Sequence, residues 1–272
     1  MHAPTRSPSP QSKRQALSRM HAALRRWIEW NLDYPRRQMM FLEPKPQAEL
    51  QEMERAQRDL TAQWARRARR YLSYLTQDNS DLDADQLAEI ADALSPGGVD
   101  NGADLYWNLL DAGVDIDPLI RAALIYRNWH GGKVGFQFLP DPARTDPEDY
   151  EFEADNLVQS LFEATDGKVG GILTGKDRDF YESLPARFTI YRGCSGISPE
   201  LAGLGVCWTT DRRIAEWFAH RGSREPVLVT GSIRKVEIVL ANASEKEVVC
   251  IPRHSRSLKC RKPVKMAWQS GW

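Results

Sequence analysis

The chain has 272 residues, of which 42% are hydrophobic and 27% charged, and its 37 basic and 37 acidic side chains cancel to no net charge. This composition is typical of a globular protein with one large domain or two modest ones. No apolar run approaches the roughly 20 residues that a membrane span needs, and the basic N-terminal stretch lacks the apolar segment of a secretory signal. We therefore expect a cytoplasmic protein with no membrane partner.

Charge is distributed unevenly along the chain. Residues 1–77 hold 15 Lys and Arg against 7 Asp and Glu, residues 78–166 hold 4 against 20, and residues 251–272 hold 6 against none. The basic ends suit nucleic acid or an acidic partner, and they equally suit the acidic middle of the same chain. The four cysteines show no C-x-x-C spacing and no nearby histidine pair, which argues against a metal site and for reduced thiols.

Apolar residues recur every three or four positions through the first part of the chain, which predicts helices. Residues 1–15, rich in Pro and Ser, are expected to be a disordered tail. Asp83 or Asp85, and Asp117 before Pro118, are the predicted N-caps of two helices. The predicted helices cover residues 16–31, 47–76, from Asp83 or Asp85 to Leu94, 105–112, 118–129 and 149–165.

The second of these helices carries four arginines within one and a half turns. They are Arg66, Arg67, Arg69 and Arg70. Such a face suits contacts with phosphates, although a solvated face, or one that pairs with the acidic middle, is the favoured interpretation.

The pattern changes after residue 167 to short runs rich in β-branched residues, which predict a compact α+β domain. A helix is predicted over 212–221, with Asp211 as its N-cap and with Ile214, Trp217 and Phe218 facing inward. A shorter helical segment is predicted over 176–184. The predicted strands cover 188–192, 206–209, 227–233, 236–240 and 248–251.

Three pieces of this second part carry candidate chemistry. Arg192 ends a strand beside Gly193, so its guanidinium suits a phosphate, or equally a carboxylate at a strand edge. Thr209 and Thr210 place hydroxyls at another strand end, where β-propensity and helix capping explain them as well. If Glu245 and Glu247 share a strand, they face the same side about 7 Å apart. That arrangement is costly unless the pair is exposed, bridged by a cation or functional.

The order of these pieces resembles the mono-ADP-ribosyltransferases of the Arg-Ser-Glu class. Tyr-Arg-Gly at 191–193 is followed by Trp-Thr-Thr-Asp at 208–211, Ala-x-x-Phe-Ala at 215–219 and Glu-x-Glu-Val-Val at 245–249, as in many bacterial and phage members. The match covers residues 168–252, about a third of the chain. If Thr209 is aligned with the middle Thr of the family's Ser-Thr-Ser stretch, Trp208 stands where the first serine would be. Either a hydroxyl is lost or the register differs by one residue.

The resemblance implies a role for each matched position, with NAD as the substrate and no metal. Arg192 would contact the phosphates and the nicotinamide ribose. Glu247 would stabilise the positive charge that develops on the ribose, and Glu245 would orient an acceptor arginine and take its proton. Further NAD-binding positions are Tyr191, Gly193, Trp208, Thr209 and Thr210, and the aromatic residues Tyr191, Trp208, Trp217 and Phe218 are candidates for stacking on nicotinamide.

We therefore expect an NAD-dependent mono-ADP-ribosyltransferase that releases nicotinamide and modifies a protein, rather than a nucleic acid, with arginine as a candidate acceptor residue. Two alternatives stay open: an NAD glycohydrolase on the same fold, and a non-enzymatic module that binds nucleic acid or protein through the arginine-rich helix. The expected organisation is a disordered tail (1–15), an all-helical region that resembles no known family (16–166), an ADP-ribosyltransferase-like domain with a compact mixed β-sheet (167–252) and a basic tail (253–272).

Overall fold

The computed structural model describes residues 10–39, 45–95, 105–129, 139, 145–222, 224–252 and 254–261. The chain divides into two compact units, residues 1–131 and 132–272. Helices make up the described part of the first unit and a six-stranded sheet lies in the second, so the fold is α+β, as the sequence predicted. All strand pairs of this sheet are antiparallel, whereas a mixed sheet was expected. The division falls earlier than the predicted boundary after residue 166, because the helix over 147–164 belongs with the sheet.

The described part of the first unit forms helices at or near the predicted positions. The first of them begins at Pro10, so the predicted disorder is wrong from that residue onward, and residues 1–9 lie outside the described residues. A 3-10 turn, Leu72–Leu75, follows the third helix. The helices are α1 (Pro10–Leu32), α2 (Tyr34–Met39), α3 (Gln47–Tyr71), α4 (Ala84–Leu94), α5 (Leu105–Asp111) and α6 (Pro118–Trp129).

Local chemistry fixes two of these helix starts. The Asp83 carboxylate accepts hydrogen bonds from the backbone N–H groups of Asp85 and Gln86, at 3.0 and 2.9 Å. The Gln86 side chain accepts one in return from the Asp83 N–H, which completes a capping box. Asp117 caps α6 in the same way, through the N–H groups of Leu119 and Ile120. Both predicted caps are therefore confirmed.

The core of the first unit forms where α1 packs on α3 and α5, and where α4 packs on α3 and α6. Trp27 is buried there, with its ring centroid 6.0 Å from that of Trp64. Burying large aromatic side chains of this kind supplies much of the stability of a small helical unit.

The second unit alternates short helices with the strands of one sheet. Its helices are α7 (Pro147–Ala164), α8 (Gly175–Ser183), α9 (Pro199–Gly203) and α10 (Arg212–His220), with 3-10 turns at Val169–Gly171 and Lys235–Glu237. Its strands are β1 (Arg187–Ser195), β2 (Cys207–Thr209), β3 (Pro226–Arg234), β4 (Leu240–Asn242), β5 (Glu247–Val249) and β6 (Ser255–Leu258), in the spatial order β4-β5-β2-β1-β3-β6.

The two faces of the sheet are covered by different elements. Ile190 points into a buried cluster with Trp208, Val229 and Val248, against which residues of α8 and α9 pack. Gly193, three residues further along β1, faces the opposite side because side chains alternate along a strand. There α10 lies so close that a β-carbon on Gly193 would stand 1.7 Å from the carbonyl oxygen of Ala215.

The ladders that β1 makes with its two neighbours differ in length. With β3 it forms nine residue pairs, from Arg187–Arg234 to Ser195–Pro226. With β2 the pairing is Tyr191 opposite Thr209. The two strands separate beyond that pair, and a side chain enters the space between them.

Three strand and helix predictions are wrong. No strand runs over 236–240, because the Arg234 N–H donates to the Glu237 carboxylate at 2.8 Å and turns the chain into a 3-10 segment before β4. The basic tail predicted from residue 253 contains β6, which pairs with β3. On α10, Ile214 is buried as predicted, but Trp217 and Phe218 are only half-buried, because Ala215 and Ala219 face the sheet instead.

None of the helices in the described part of the chain combines the length and the apolar character of a membrane-spanning segment.

Candidate active site

Strand order brings the three predicted pieces of the site together. Thr209 on β2 stands opposite Tyr191 on β1 and, on its other side, opposite Glu247 on β5. Neighbouring strands lie about 4.8 Å apart, so the backbones of Tyr191 and Glu247, which both pair with Thr209, are about 10 Å apart. Arg192, Thr209 and Glu247 are separated by up to 55 residues in sequence (247 − 192), and the sheet places them on adjacent strands.

The Arg192 guanidinium occupies the space where β1 and β2 separate. Its Nη1 donates to the backbone carbonyl of Cys207 at 2.7 Å, and its Nε is buried without a hydrogen-bond partner among the described residues. The guanidinium fills the place that a side chain at Gly205 would take: a β-carbon there would stand 2.1 Å from Cζ and 2.4 Å from Nε. Gly205 thus provides the space in which Arg192 lies.

The titratable groups that act on this guanidinium are two thiols and a phenol. They belong to Cys194, Cys207 and, on α7, Tyr150. Burial raises the pKa of Tyr150, although Arg192 opposes the rise, so the phenol stays protonated. Within the described ranges no ion pair joins Arg192 to a carboxylate. A buried cation without a counter-ion is costly, so this position favours an anionic ligand.

The thiol of Cys207 is influenced by both principal candidates. Burial raises its pKa well above the ordinary range, the Glu247 carboxylate raises it further, and the Arg192 guanidinium lowers it. The two candidates therefore act electrostatically on the same thiol. The protonated thiol has one proton to donate, and the Glu247 carboxylate is its natural acceptor.

Glu245 does not share a strand with Glu247. β4 and β5 form a hairpin in which Asn242 pairs with Glu247, and residues 243–246 form the turn, with Lys246 in the left-handed conformation at φ 48°. The expectation that both glutamates face one side of a strand is therefore wrong. Burial raises the pKa of Glu245, and the positive charge of Arg221 lowers it in part.

The two threonines hold this turn in place. Thr209 Oγ1 donates to the carbonyl of Glu245 at 3.0 Å and accepts from the N–H of Asp211 at 3.2 Å. Thr210 bonds to the carbonyl of Lys246 through its N–H, at 3.0 Å, and through its hydroxyl, at 3.4 Å. Their hydroxyls are therefore engaged in positioning the glutamates.

Charged groups brace the same turn from outside. The Lys246 ammonium pairs with the Asp211 carboxylate at 2.9 Å, and Asp211 also caps α10 through the N–H of Arg213, which confirms its predicted role as an N-cap. From α8, the Asp177 carboxylate accepts a hydrogen bond from the N–H of Ala243 at 2.7 Å. The segment that carries Glu245 is thus fixed to β2, α8 and the start of α10.

Two predicted NAD-binding residues have structural roles. The Trp208 side chain is 1% exposed in the core cluster, and its indole N–H donates to the carbonyl of Gly205 at 2.6 Å, so it does not face a ligand. Gly193 lacks a side chain because α10 packs directly on it. Tyr191 is half-buried on the same face of the sheet as Thr209, and nothing in the fold tests its contact with nicotinamide.

Sequence reasoning missed three residues of the site: Tyr150, Gly205 and Cys207. Tyr150 comes from α7, which the periodicity placed in the helical region, so no motif connected it to Arg192. Gly205 and Cys207 immediately precede the Trp-Thr-Thr-Asp stretch. A glycine just before a strand that carries a candidate site is a signal of close approach by another group.

Among the described residues, no three His, Cys, Asp or Glu side chains come together in a metal-binding arrangement. Comparison of the chain with models of known protein families, with curated proteins and with solved structures found no match.

Proposed function

We propose that the protein is an NAD-dependent mono-ADP-ribosyltransferase whose site lies across β1, β2 and β5. One observation carries the proposal: β2 lies between β1 and β5, so Arg192 and Glu247 stand on the two strands that flank Cys207 and Thr209. An arginine for phosphate and a carboxylate for a cationic transition state are the two groups that this reaction requires.

The surroundings of Arg192 support binding of the NAD pyrophosphate. The buried Nε has no hydrogen-bond partner among the described residues, the neighbouring titratable groups are thiols and a phenol rather than carboxylates, and Gly205 leaves the guanidinium the space it needs. An anion at this position would satisfy the orphaned N–H and neutralise the charge. Hydrogen bonds from a guanidinium to a charged oxygen are worth about 1.5–3 kcal/mol each.

In the proposed reaction, the bond that joins C1 of the nicotinamide ribose to the nicotinamide nitrogen breaks, and its electron pair leaves with nicotinamide. An acceptor atom then bonds to C1 and loses a proton. Glu247, as an anion, stabilises positive charge at the ribose. Glu245 accepts the acceptor's proton, a role that suits a carboxylate whose pKa burial has raised. Thr209 and Thr210 hold the turn that carries it.

The position of Thr209 bears on the register of the family motif. Its hydroxyl, and not the Trp208 side chain, belongs to the residue that pairs with Glu247. This favours the alignment in which Thr209 takes the place of the first serine, so that no hydroxyl is lost.

NAD hydrolysis is the second candidate, and Arg221 favours it. The charge of this guanidinium of the chain itself acts on Glu245, where an acceptor arginine would be expected, and its Cζ stands 5.4 Å from the centroid of the half-buried Trp217 ring. A site whose acceptor side already holds a cation leaves water as the acceptor.

The deciding experiment measures nicotinamide release from NAD by the purified protein, with and without a cell lysate, and follows labelled ADP-ribose into macromolecules. Glu247→Gln should lower release by about 100-fold or more, the usual cost of losing one group that stabilises transition-state charge. Glu182→Gln, which changes an exposed glutamate on α8, is the matched control and should retain activity.

The outcomes of this experiment distinguish the two candidate functions. Release that needs lysate and labels a protein supports the transferase. Release without lysate or label, lost in Glu247→Gln, supports the hydrolase. No release and no NAD binding would contradict both.

A further inference from the structure

One face of α3 carries five arginines that the proposed reaction does not use. They are Arg55, Arg58, Arg66, Arg69 and Arg70, and we call them the arginine stripe. At 3.6 residues per turn they fall within about a third of the helix circumference, and the 1.5 Å rise per residue spreads them over about 22 Å. All five are exposed, whereas the residues that α3 buries, Thr61, Ala65 and Ala68, lie outside that arc.

Nothing within the described part of the chain neutralises the arginine stripe. Among the described residues, no ion pair or hydrogen bond involves any of its five side chains. The acidic residues Glu49 and Glu54 of α3 are already paired, with Lys45 and Arg36. Of the two favoured interpretations, the solvated face agrees with this exposure, and pairing with the acidic middle of the chain is not seen among the described residues.

Stabilisation of the helix dipole explains only two of the five arginines of the stripe. Arg69 and Arg70 lie in the last turn of α3, where a positive charge interacts favourably with the helix dipole. Arg55, Arg58 and Arg66 lie too far from the helix end to gain from it, because the effect falls off within the last turn. Five like charges on one face repel each other, so their arrangement calls for an external polyanion.

We propose that the arginine stripe binds the phosphate backbone of duplex DNA. Planar guanidinium forks match phosphate oxygens, and about 22 Å measured along the duplex axis covers about six phosphates of one strand, at one per 3.4 Å of axis. An α-helix fits the roughly 12 Å major groove of B-DNA, whereas the deep, narrow groove of duplex RNA excludes it. A membrane surface fits less well, because Leu60 is the one large hydrophobic side chain of α3 that is exposed in the described residues, and a membrane-binding helix needs an apolar face.

This surface is independent of the proposed NAD chemistry, because it lies on the helical unit and involves none of the residues that line the site on the sheet. Its binding is measured without NAD, so failure of either proposal leaves the other intact. The prediction is sequence-independent binding that weakens with salt, since phosphate contacts carry no base information.

The test is fluorescence anisotropy of the full chain with a labelled mixed-sequence DNA duplex between 50 and 200 mM salt. Five phosphate contacts predict a slope of log K against log salt approaching −4.5, at about −0.9 per contact. Changing all five arginines to Gln should weaken binding at least 100-fold at the lowest salt, and Arg66→Gln alone should make the slope shallower by about 0.9. Asp59→Asn removes the one acidic residue between Arg55 and Arg70 and should strengthen binding.

A matched control removes the same charge from the second unit. It changes five exposed basic residues to Gln: Lys176, Arg187, Arg256, Lys259 and Arg261. The proposal expects this variant to bind DNA within about threefold of the unaltered chain. Circular dichroism should show unchanged helix content in the stripe variant, because the five side chains are exposed and form no hydrogen bond or ion pair with the described residues.

Three results would overturn the proposal. The first is equal loss of binding in the stripe variant and the control, which would indicate a net-charge effect. The second is the absence of salt-sensitive binding to duplex DNA at 50 mM salt. The third is tighter binding to duplex RNA or to vesicles containing phosphatidylserine than to duplex DNA.

Discussion

Replacing Gly205 with Ala tests whether the position of Arg192 determines NAD binding. The new β-carbon would lie 2.1 Å from Cζ and 2.4 Å from both Nε and Nη2 of Arg192, so the guanidinium has to leave its place between β1 and β2. Its 2.7 Å bond to the Cys207 carbonyl breaks as it moves. The backbone is spared, because the colliding atoms are the end of a flexible side chain.

The expected loss is in NAD affinity rather than in stability. A displaced guanidinium forfeits a charge-assisted contact with phosphate worth about 2 kcal/mol, which corresponds to about 30-fold weaker binding. Isothermal titration of NAD should show this change, while the melting temperature falls by no more than about 4 °C. Gly171→Ala is the matched control, since a β-carbon there meets nothing within 4 Å.

Unaltered NAD affinity in Gly205→Ala would refute the reasoning, because Arg192 cannot keep its place beside a new methyl group. If the variant does not fold, Arg192→Lys gives an independent test, since it keeps the charge and removes the planar fork. Equal NAD affinity in that variant would also contradict the proposed role.

Two further predictions concern the turn that carries Glu245. Thr209→Val removes two hydrogen bonds, at 3.0 and 3.2 Å, and should lower kcat about tenfold with little change in KM. Thr210→Val loses one exposed hydrogen bond of 3.4 Å and should have a smaller effect on kcat. Equal effects of the two variants in steady-state assays would argue against the positioning role of Thr209. Because burial raises the pKa of Glu245, its ionisation opposes folding as pH rises through the folded-state pKa. The free energy of unfolding in urea should therefore be higher for Glu245→Gln than for the unaltered chain at pH 8, and equal for the two at a pH below the unfolded-state pKa of Glu245. A lower free energy of unfolding for the variant at pH 8 would contradict the prediction.

Features set by neighbouring residues were predictable from the sequence. The caps at Asp83, Asp117 and Asp211 each bond to N–H groups two or three positions ahead, so the pattern contains all the partners. The order of Arg192 and Glu247 along the chain also identified strands that the sheet brings together.

What the sequence did not reveal depends on the hairpin and on distant contacts. Glu-x-Glu is compatible with a strand, and the turn at 243–246 contains no Gly, Asn or Pro to mark it, since Lys246 takes the left-handed conformation itself. The sequence suggested that Trp208 stacks on a ligand, whereas in the structure this side chain is part of the core cluster. β6 has three exposed residues in four, so it lacked the apolar alternation that predicts a strand.

The unequal ladders of β1 have a mechanical consequence. Nine pairs bind it to β3, so β1, β3 and β6 deform as one plate, while β2, β5 and β4 form a second plate through their own ladders. The Tyr191–Thr209 pair and the Arg192 guanidinium hold the two plates together at their common edge. The sheet therefore bends most easily between β1 and β2, which lies between Arg192 and Glu247. A small change in the angle between the two plates alters the distance between these two residues without breaking a long ladder.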